Sequence, residues 1–294
     1  MFENQMQLRL ESDTAQQSLN DIVEAVIKQF RNEYDSKSVE LIYLKGENVP
    51  AWINVDASLL TSCLKSLIKN ALDHTVKGEV LVLIHLDDSV QAETKLRLNV
   101  SDTGEGIDSN TVRHIENMML NPKEPVKKNV LAKCTKEVRH MGGHIGLRST
   151  LSRGTTIWLD VPINLNESMM ERRKDPVFEQ GVVFASHSTN QTALLRYIAP
   201  LCKSSKIVRT QMDISVLNNN HPIDLVVIQG KIPDLSQINA KKIIYIGDVN
   251  SQHPDDYILP KNVQYMSKPV LPSDFEKIRI QHENDFSFEI AQSM

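Results

Sequence analysis

The stretch VSDTGEGI, residues 100–107, decides how this chain is read. It closes an alternating run, 95–102, in which Leu96, Leu98, Val100 and Asp102 fall on one face of a strand. That face is apolar up to its last member and should meet the helices of a core. A carboxylate at the end of such a face is costly unless a donor pairs with it. Gly104 and Gly106 follow at once, and residues without a Cβ let the backbone turn tightly and approach a ligand. The pattern marks Asp102 as an acceptor for a buried donor, such as the amino group of adenine.

Upstream lies LIKNALDHT, residues 67–75. It belongs to a helix predicted from an N-cap at Asp56 to about His74, with Leu60, Cys63, Leu64, Leu67 and Ala71 as its apolar stripe. Ser66, Asn70, Asp73 and His74 form a polar stripe beside it, from which the Asn70 carbonyl can reach a metal or phosphate. An earlier helix is marked by Leu19, Ile22, Val23, Val26, Ile27 and Phe30, and strands by 39–44 and 79–86. Downstream, 108–130 is weakly patterned. A helix over 131–141 is then stopped by Gly142 and Gly143, and strands at 144–148 and 155–162 complete the half. Helices on one face of a mixed sheet make an α+β sandwich.

The order and spacing of three boxes carry a resemblance. LIKNALDHT resembles the N-box of the histidine-kinase (GHKL-type) ATPase domains, and DTGEGI, residues 102–107, resembles their first glycine box. MGGHIGLRSTLSRGTTIWLDVP, residues 141–162, resembles the end of the same domain, where a glycine pair closes a helix and a Gly-Thr starts the last strand. The likeness covers roughly residues 5–163. It implies an ATP-binding domain in which Asn70 holds Mg²⁺, Asp102 binds adenine, and Gly104, Gly106 and Thr155 line the nucleotide site.

The departures from that pattern matter equally. Aligned back from Gly142, the family's lid glycines fall on Val126, Lys128 and Val130, and no glycine occurs between Asp108 and Met141. Backbone amides do not easily wrap a triphosphate without such residues. Lys123, Lys127 and Lys128 offer point charges to phosphates or simply a solvated face, with Glu124 among them. Ser66 stands where a first Asn is common, and Asp73 where a Lys is common. Weak or absent binding of ATP and Mg²⁺ is expected, and no catalytic residue is assigned. In the family the phosphoacceptor histidine lies on a helical hairpin before this domain. None of the nine histidines occupies such a place, and residues 1–12 resemble the exit of that hairpin.

After a polar, charged seam (NLNESMMERRKDP, 164–176), continuous apolar strands alternate with helical stretches: strand 182–185, helix 191–201, strands 206–209, 224–228, 242–246 and 263–266. That alternation predicts a parallel α/β sheet. DLVVIQGKIP, residues 224–233, resembles the receiver strand that ends in a phosphoacceptor aspartate, and Gln229 occupies the aspartate's place. The metal-binding acids would fall at Ala185 and Ser186, and the Ser/Thr switch near Gly247. Lys268, before Pro269, matches the receiver lysine, with a plain surface lysine as the alternative. The fold expected is thus an α+β sandwich of the histidine-kinase ATPase type followed by a receiver-like parallel α/β domain. The boundaries are 1–163, a linker at 164–178, 179–282 and a tail at 283–294.

Composition is that of a soluble globular protein. Basic residues number 33 and acidic residues 37 among 294, so a strong nucleic-acid surface is not expected. No apolar run reaches the ~20 residues that span a bilayer, and the N-terminus lacks a signal peptide. Three scattered cysteines, Cys63, Cys134 and Cys202, with no CxxC pair, read as reduced thiols in a cytoplasmic compartment and not as a disulfide frame or a zinc site, in line with the cytoplasmic portion of an inner-membrane protein. Together the halves resemble degenerate hybrid kinases of Rcs-type phosphorelays. The resemblance implies phosphotransfer or receiver domains as partners, and a homodimer through the absent hairpin. Three functions stay open: a docking scaffold, a weakly ATP-binding regulator, and an active kinase for a histidine on a separate domain or chain.

Overall fold

The computed structural model describes residues 16–31, 38–87, 94–120, 130–165, 169–170, 172, 174–210, 213, 223–230, 235, 238–247 and 260–293, with side chains to residue 284. Its contacts divide the chain into two compact units, Met1–Glu171 and Arg172–Met294. The linker motif at 164–176 and the lysines at 123, 127 and 128 fall partly or wholly outside the described residues.

In the first unit, β1 (Gln17–Ser18) and β3 (Trp52–Ile53) make a short antiparallel pair. Helix α1 (Leu19–Gln29) starts where the Ser18 hydroxyl accepts the Asp21 amide at 3.2 Å. It buries Leu19, Ile22, Val23, Val26 and Ile27, the stripe its periodicity predicts. Helix α2 (Ala57–Asp73) is capped by Asp56, which accepts the Leu59 amide at 3.0 Å. Strands β2 (Ser38–Lys45), β4 (Lys77–Asp87), β5 (Lys95–Asp102), β6 (His144–Thr150) and β7 (Gly154–Pro162) form one sheet in the order β2-β4-β5-β7-β6. The β2–β4 pair is parallel and the other three are antiparallel.

Period-two alternation sorts the two faces of this sheet. Val80, Val82, Ile84, Leu96, Leu98 and Val100 are buried, and α2 packs over β4 and β5. On the other face Arg97 forks onto Asp160, directly opposite it in register, at 2.6 and 2.7 Å, and reaches Asp87 at 2.7 Å. A bidentate cross-strand pair of this kind fixes register as well as adding energy.

Two helices frame the remaining edge. Helix α3 (Ser109–Leu120) lies in the segment that shows no clear pattern in sequence. Met119 is its buried residue, so it has almost no apolar period to display. Its start is nevertheless written in Asp108, which accepts the Asn110 and Thr111 amides and the Thr111 hydroxyl. Helix α4 (Val130–His140) buries Ala132, Cys134, Thr135 and Val138 and packs on α2. It stops at Gly142, whose φ is +74°.

The second unit is a five-stranded sheet: β8 (Phe178–Ala185), β9 (Cys202–Val208), β10 (Ile223–Gln229), β11 (Ala240–Gly247) and β12 (Val263–Ser267), in the order β12-β11-β10-β8-β9. All its pairs are parallel. In order of appearance this is the 2-1-3-4-5 arrangement of flavodoxin-like sheets. Every residue of the central β10 is buried, which is why it reads as a continuous apolar run. Helix α5 (Ser188–Ile198) begins and ends three residues before the 191–201 expected from sequence. Strand β9 begins earlier than expected because its first half carries exposed Lys203 and Ser204, the polar signature of an edge. Helix α6 (Pro272–Ser293) runs through the segment the sequence marks as a tail. Its buried Arg279 donates to the carbonyls of Asp175 and Pro200 at 2.6 and 2.5 Å.

Asp224 pins this sheet. It accepts the Glu179 and Gln180 amides, both at 3.0 Å, and the Lys241 ammonium at 2.6 Å. Burial alone would raise its pKa, but Lys241 and the two amides hold it below the ordinary 3.8. Asp224→Ala should therefore cost about 1–3 kcal/mol at pH 7, read by urea unfolding. A depressed folded-state pKa contributes stability above the unfolded value that is lost as pH falls through the folded one. The gap between wild type and variant should accordingly close below about pH 4.

Candidate functional site

The carboxyl end of β5 delivers Asp102 to the top of the apolar layer. Its Oδ1 accepts the Gly104 amide at 2.9 Å and the Thr155 amide at 3.2 Å. Its Oδ2 takes no hydrogen bond among the described residues. Burial holds the carboxyl above the ordinary carboxylate range, against the opposing pull of the Gly104 and Thr155 amides and of His74. The arrangement is a fixed, half-buried acceptor with one oxygen committed to the backbone and one available.

Glycines make this cradle possible. A Cβ on Gly154 would lie 1.9 Å from the Asp102 carbonyl oxygen, at a φ of +97° that L side chains avoid. A Cβ on Gly104 would lie 2.1 Å from the His74 carbonyl oxygen, so the loop rests on the end of α2. Gly106 turns at φ +67° against the Thr150 carbonyl. His74 and Glu105 close the same contact from outside, Nδ1 to Oε1 at 2.9 Å.

Ser149 is the residue that sequence reasoning missed. Its hydroxyl accepts the Ile107 amide at 2.8 Å, donates to the Gly154 carbonyl at 3.0 Å and meets the Thr155 hydroxyl at 2.8 Å. It thereby laces the Asp102–Ile107 loop to the turn between β6 and β7. A serine on a strand gives no sequence signal of such a role. Asp102, Gly104, Gly106 and Thr155 are thus brought into one cluster, although they span 53 positions.

Asn70 lies half-buried on α2, one turn before His74, and its side chain makes no hydrogen bond among the described residues. Asp73 pairs with Lys69 at 3.4 Å along the same helix, with both side chains half-exposed. Of the three positions aligned with lid glycines, Val126 and Lys128 lie outside the described residues, and Val130 is an exposed first residue of α4.

In the second unit, Ala185 and Gln229 are adjacent in register at the carboxyl ends of β8 and β10. Gln191 donates to the Ala185 carbonyl at 2.7 Å. Gly230 faces the Ser186 hydroxyl, which a Cβ there would meet at 2.5 Å. The Lys268 amide donates to Gly247 at 3.1 Å, and Lys268 is buried, not the surface lysine of the alternative reading. This rim is where open parallel sheets place ligands. At the positions matched to a receiver's acids it offers a methyl, a hydroxyl and an amide.

Residues 55–165 match the family of histidine kinase-, DNA gyrase B-, and HSP90-like ATPases. The chain is similar to the sensor protein GacS of Pseudomonas syringae pv. syringae, 24% identical over 152 residues, which are 50% of this chain and 17% of that protein. It is also similar to the peroxide stress-activated histidine kinase mak2 of Schizosaccharomyces pombe, 23% identical over 229 residues, 72% of this chain and 10% of that one. The chain therefore spans less than a fifth of the length of either relative. Among solved structures, full-length ShkA in complex with AMPPNP shares the fold, with a TM-score of 0.70 and 18% identity, covering 92% of this chain and 57% of that one. With the sheet order, the Asp102 loop and the glycine-bounded turn on the page, residues 55–165 form a two-component histidine kinase-like ATPase domain.

Proposed function

We propose that this protein is a phosphorelay signalling component in which a degenerate, weakly nucleotide-binding ATPase domain and a receiver-like domain without phosphoryl chemistry serve as a regulatory docking module. The observation that carries this reading is the pairing of Gln229 with Ala185 at the carboxyl rim of the parallel sheet. Phosphoryl transfer to a receiver needs a carboxylate nucleophile and acids that hold a metal. An amide and a methyl supply neither. The division of labour we infer is residues 1–163, a linker at 164–178, residues 179–282 and a tail at 283–294, in a cytoplasmic setting. Phosphotransfer or receiver domains are the partners that fit such a rim.

The adenine end of the first unit fits a nucleotide. Asp102 Oδ2 is available, Oδ1 is fixed by two amides, and the loop through Gly104 and Gly106 is held tight against the His74 and Thr150 carbonyls. Thr155 orients the acceptor through its amide. Asn70 would hold Mg²⁺ from α2 through its carbonyl. ATP, when bound, supplies a transferable phosphoryl group and Mg²⁺ neutralises its charge. What argues for weak binding is the sequence between Asp108 and Met141, which has no glycine to wrap the phosphates, and Asp73, an added negative charge near them.

Calorimetric titration with a non-hydrolysable ATP analogue and Mg²⁺ should give a dissociation constant weaker than about 1 μM, or no heat at all; sub-micromolar binding would overturn the degenerate reading. Any residual binding should vanish in Asp102→Asn, which turns an acceptor toward adenine into a donor. The same variant should melt at an equal or higher temperature near pH 7. A raised folded-state pKa means that the stability contribution is full below the unfolded value and lost as pH rises through the folded one, so the wild-type carboxylate is a burden there.

Incubation of the whole chain with acetyl phosphate and Mg²⁺ should leave its intact mass unchanged. A stable phosphoryl adduct within 172–294 would show that another group does the work assigned elsewhere to an aspartate. Finally, phosphotransfer domains should perturb amide resonances around Ala185, Gln229 and Lys268 at high micromolar concentration, the weak regime expected of a transient contact with little net charge to steer it. A silent spectrum with every such domain would leave a spacer as the better description.

A further inference from the structure

We propose that Cys63, Cys134 and Glu137 form a binding site for a thiophilic divalent metal ion of the Zn²⁺ class, clamping α2 to α4. The inference depends neither on nucleotide binding nor on docking. Cys63 comes from the apolar stripe of α2, and Cys134 and Glu137 stand at i and i+3 on one face of α4. One ligand atom from each, two sulfurs and a carboxylate oxygen, lies within 4.8 Å of the others. Both cysteines are 0% exposed.

The geometry is close to that of a filled site. Zn–S bonds of about 2.3 Å and Zn–O bonds of about 2.0–2.2 Å put tetrahedral ligand atoms roughly 3.5–3.8 Å apart. The Cys63 Sγ already lies 3.3 Å from Glu137 Oε2, as a thiol donating to a carboxylate. The remaining separations need to close by at most about 1 Å, within the reach of χ1 and χ3 rotations. On metal binding each thiol gives its proton to solvent, and the Cys63 hydrogen bond to Glu137 is replaced by two bonds to the ion. Two thiolates and a carboxylate balance the divalent charge with one negative charge to spare.

The surroundings support a ligand role for the carboxylate. Glu137 Oε1 accepts the Ser62 hydroxyl at 3.0 Å, which leaves Oε2 turned toward the sulfurs. An outer partner of this kind orients a metal-bound carboxylate. The opposing charge is Lys133, whose ammonium lies 2.9 Å from Ser62 Oγ and 3.5 Å from Glu137 Oε1. Its side chain is 50% exposed, so it can turn to water as an ion arrives, and the Glu137 side is then the entry path. Three protein ligands leave the fourth position to water on that side. Thiolates select a soft ion over Mg²⁺, which separates this site chemically from the one at Asn70.

The test uses the full chain, reduced and metal-free, titrated with Co²⁺ and then Zn²⁺. Co²⁺ should bind one per chain with thiolate charge-transfer absorption and tetrahedral d–d bands, and Zn²⁺ should displace it. At about 100 times its dissociation constant Zn²⁺ should raise the melting temperature by several degrees. Cys63→Ala and Cys134→Ala should each abolish the charge-transfer band, Glu137→Gln should weaken binding at least about tenfold, and Cys202→Ala should change nothing. X-ray absorption of the Zn²⁺-loaded wild type reads the ligands without relying on variant folding, and should find two sulfurs at about 2.3 Å with lighter ligands completing the shell. The proposal is overturned if no thiolate band appears, if the Cys202 variant loses the band, or if X-ray absorption finds no sulfur. It is likewise overturned if mild oxidant joins Cys63 to Cys134 while the reduced chain takes up no metal, which would make the pair a redox device.

Discussion

A single carboxylate oxygen organises one end of the first unit's sheet. Asp102 Oδ1 accepts amides from Gly104 and Thr155, and so joins the end of β5, the loop that follows it and the start of β7. Hydrogen bonds to a charged acceptor contribute roughly 1.5–3 kcal/mol each, enough to hold a loop that buries little apolar surface. The glycines at 104 and 154 and the Ser149 hydroxyl follow from this choice. Each either clears space for the backbone around Asp102 or secures the chain that surrounds it. The second oxygen is an acceptor kept partly dry, with no hydrogen bond among the described residues, and burial makes its charge costly. Binding sites commonly store such a cost, and stability is recovered in the apolar layer beneath.

The second unit separates shape from chemistry. Its parallel order and its central strand are specified by apolar residues, Ile223 and Leu225 to Ile228, none of which touches phosphoryl chemistry in a receiver. Gln229 ends that strand with an amide, and the hydrophobic specification does not depend on a carboxylate there. An amide also spares the core a buried charge that would otherwise require a metal or a lysine nearby. Asp224, at the opposite end of β10, has a structural role, with two amides and Lys241 around it. One strand thus carries a structural acid near its start and a neutral group at its end, and its shape rests on neither.

Contacts between helices add a third layer. Helices α2 and α4 pack together, and each carries a stripe of buried apolar residues. At one point the core admits two thiols and a carboxylate with its own hydroxyl partner. Apolar residues of similar volume would pack there at lower cost. Because the Gly104 loop rests on the His74 carbonyl at the end of α2, whatever fixes the distance between these helices bears on that loop.

By itself the sequence determined the two strand-and-helix patterns, the Asp56 and Gly142 helix ends, and the identity of the Asp102 loop. These are local matters: capping hydrogen bonds, positive φ and the periods 2 and 3.6 are set by residues close together in the chain. It also displays Gln229 and Ala185 at the positions aligned with receiver acids and a glycine-free segment 108–141. Helix α3 escaped notice because its one buried residue, Met119, gives no period, and β9 was read short because edge residues are polar. Only the tertiary structure decided that Asp102 shares an oxygen between Gly104 and Thr155, that Ser149 laces the loop, and that Lys268 is buried. It alone brought Cys63 of one helix against Cys134 and Glu137 of another. The contacts of Ser149 with Ile107, Asp102 with Thr155 and Cys63 with Glu137 join residues 42 to 74 positions apart, and no local rule of capping or periodicity reaches that far; which side chains meet across such spans is settled by how the helices and the sheet pack.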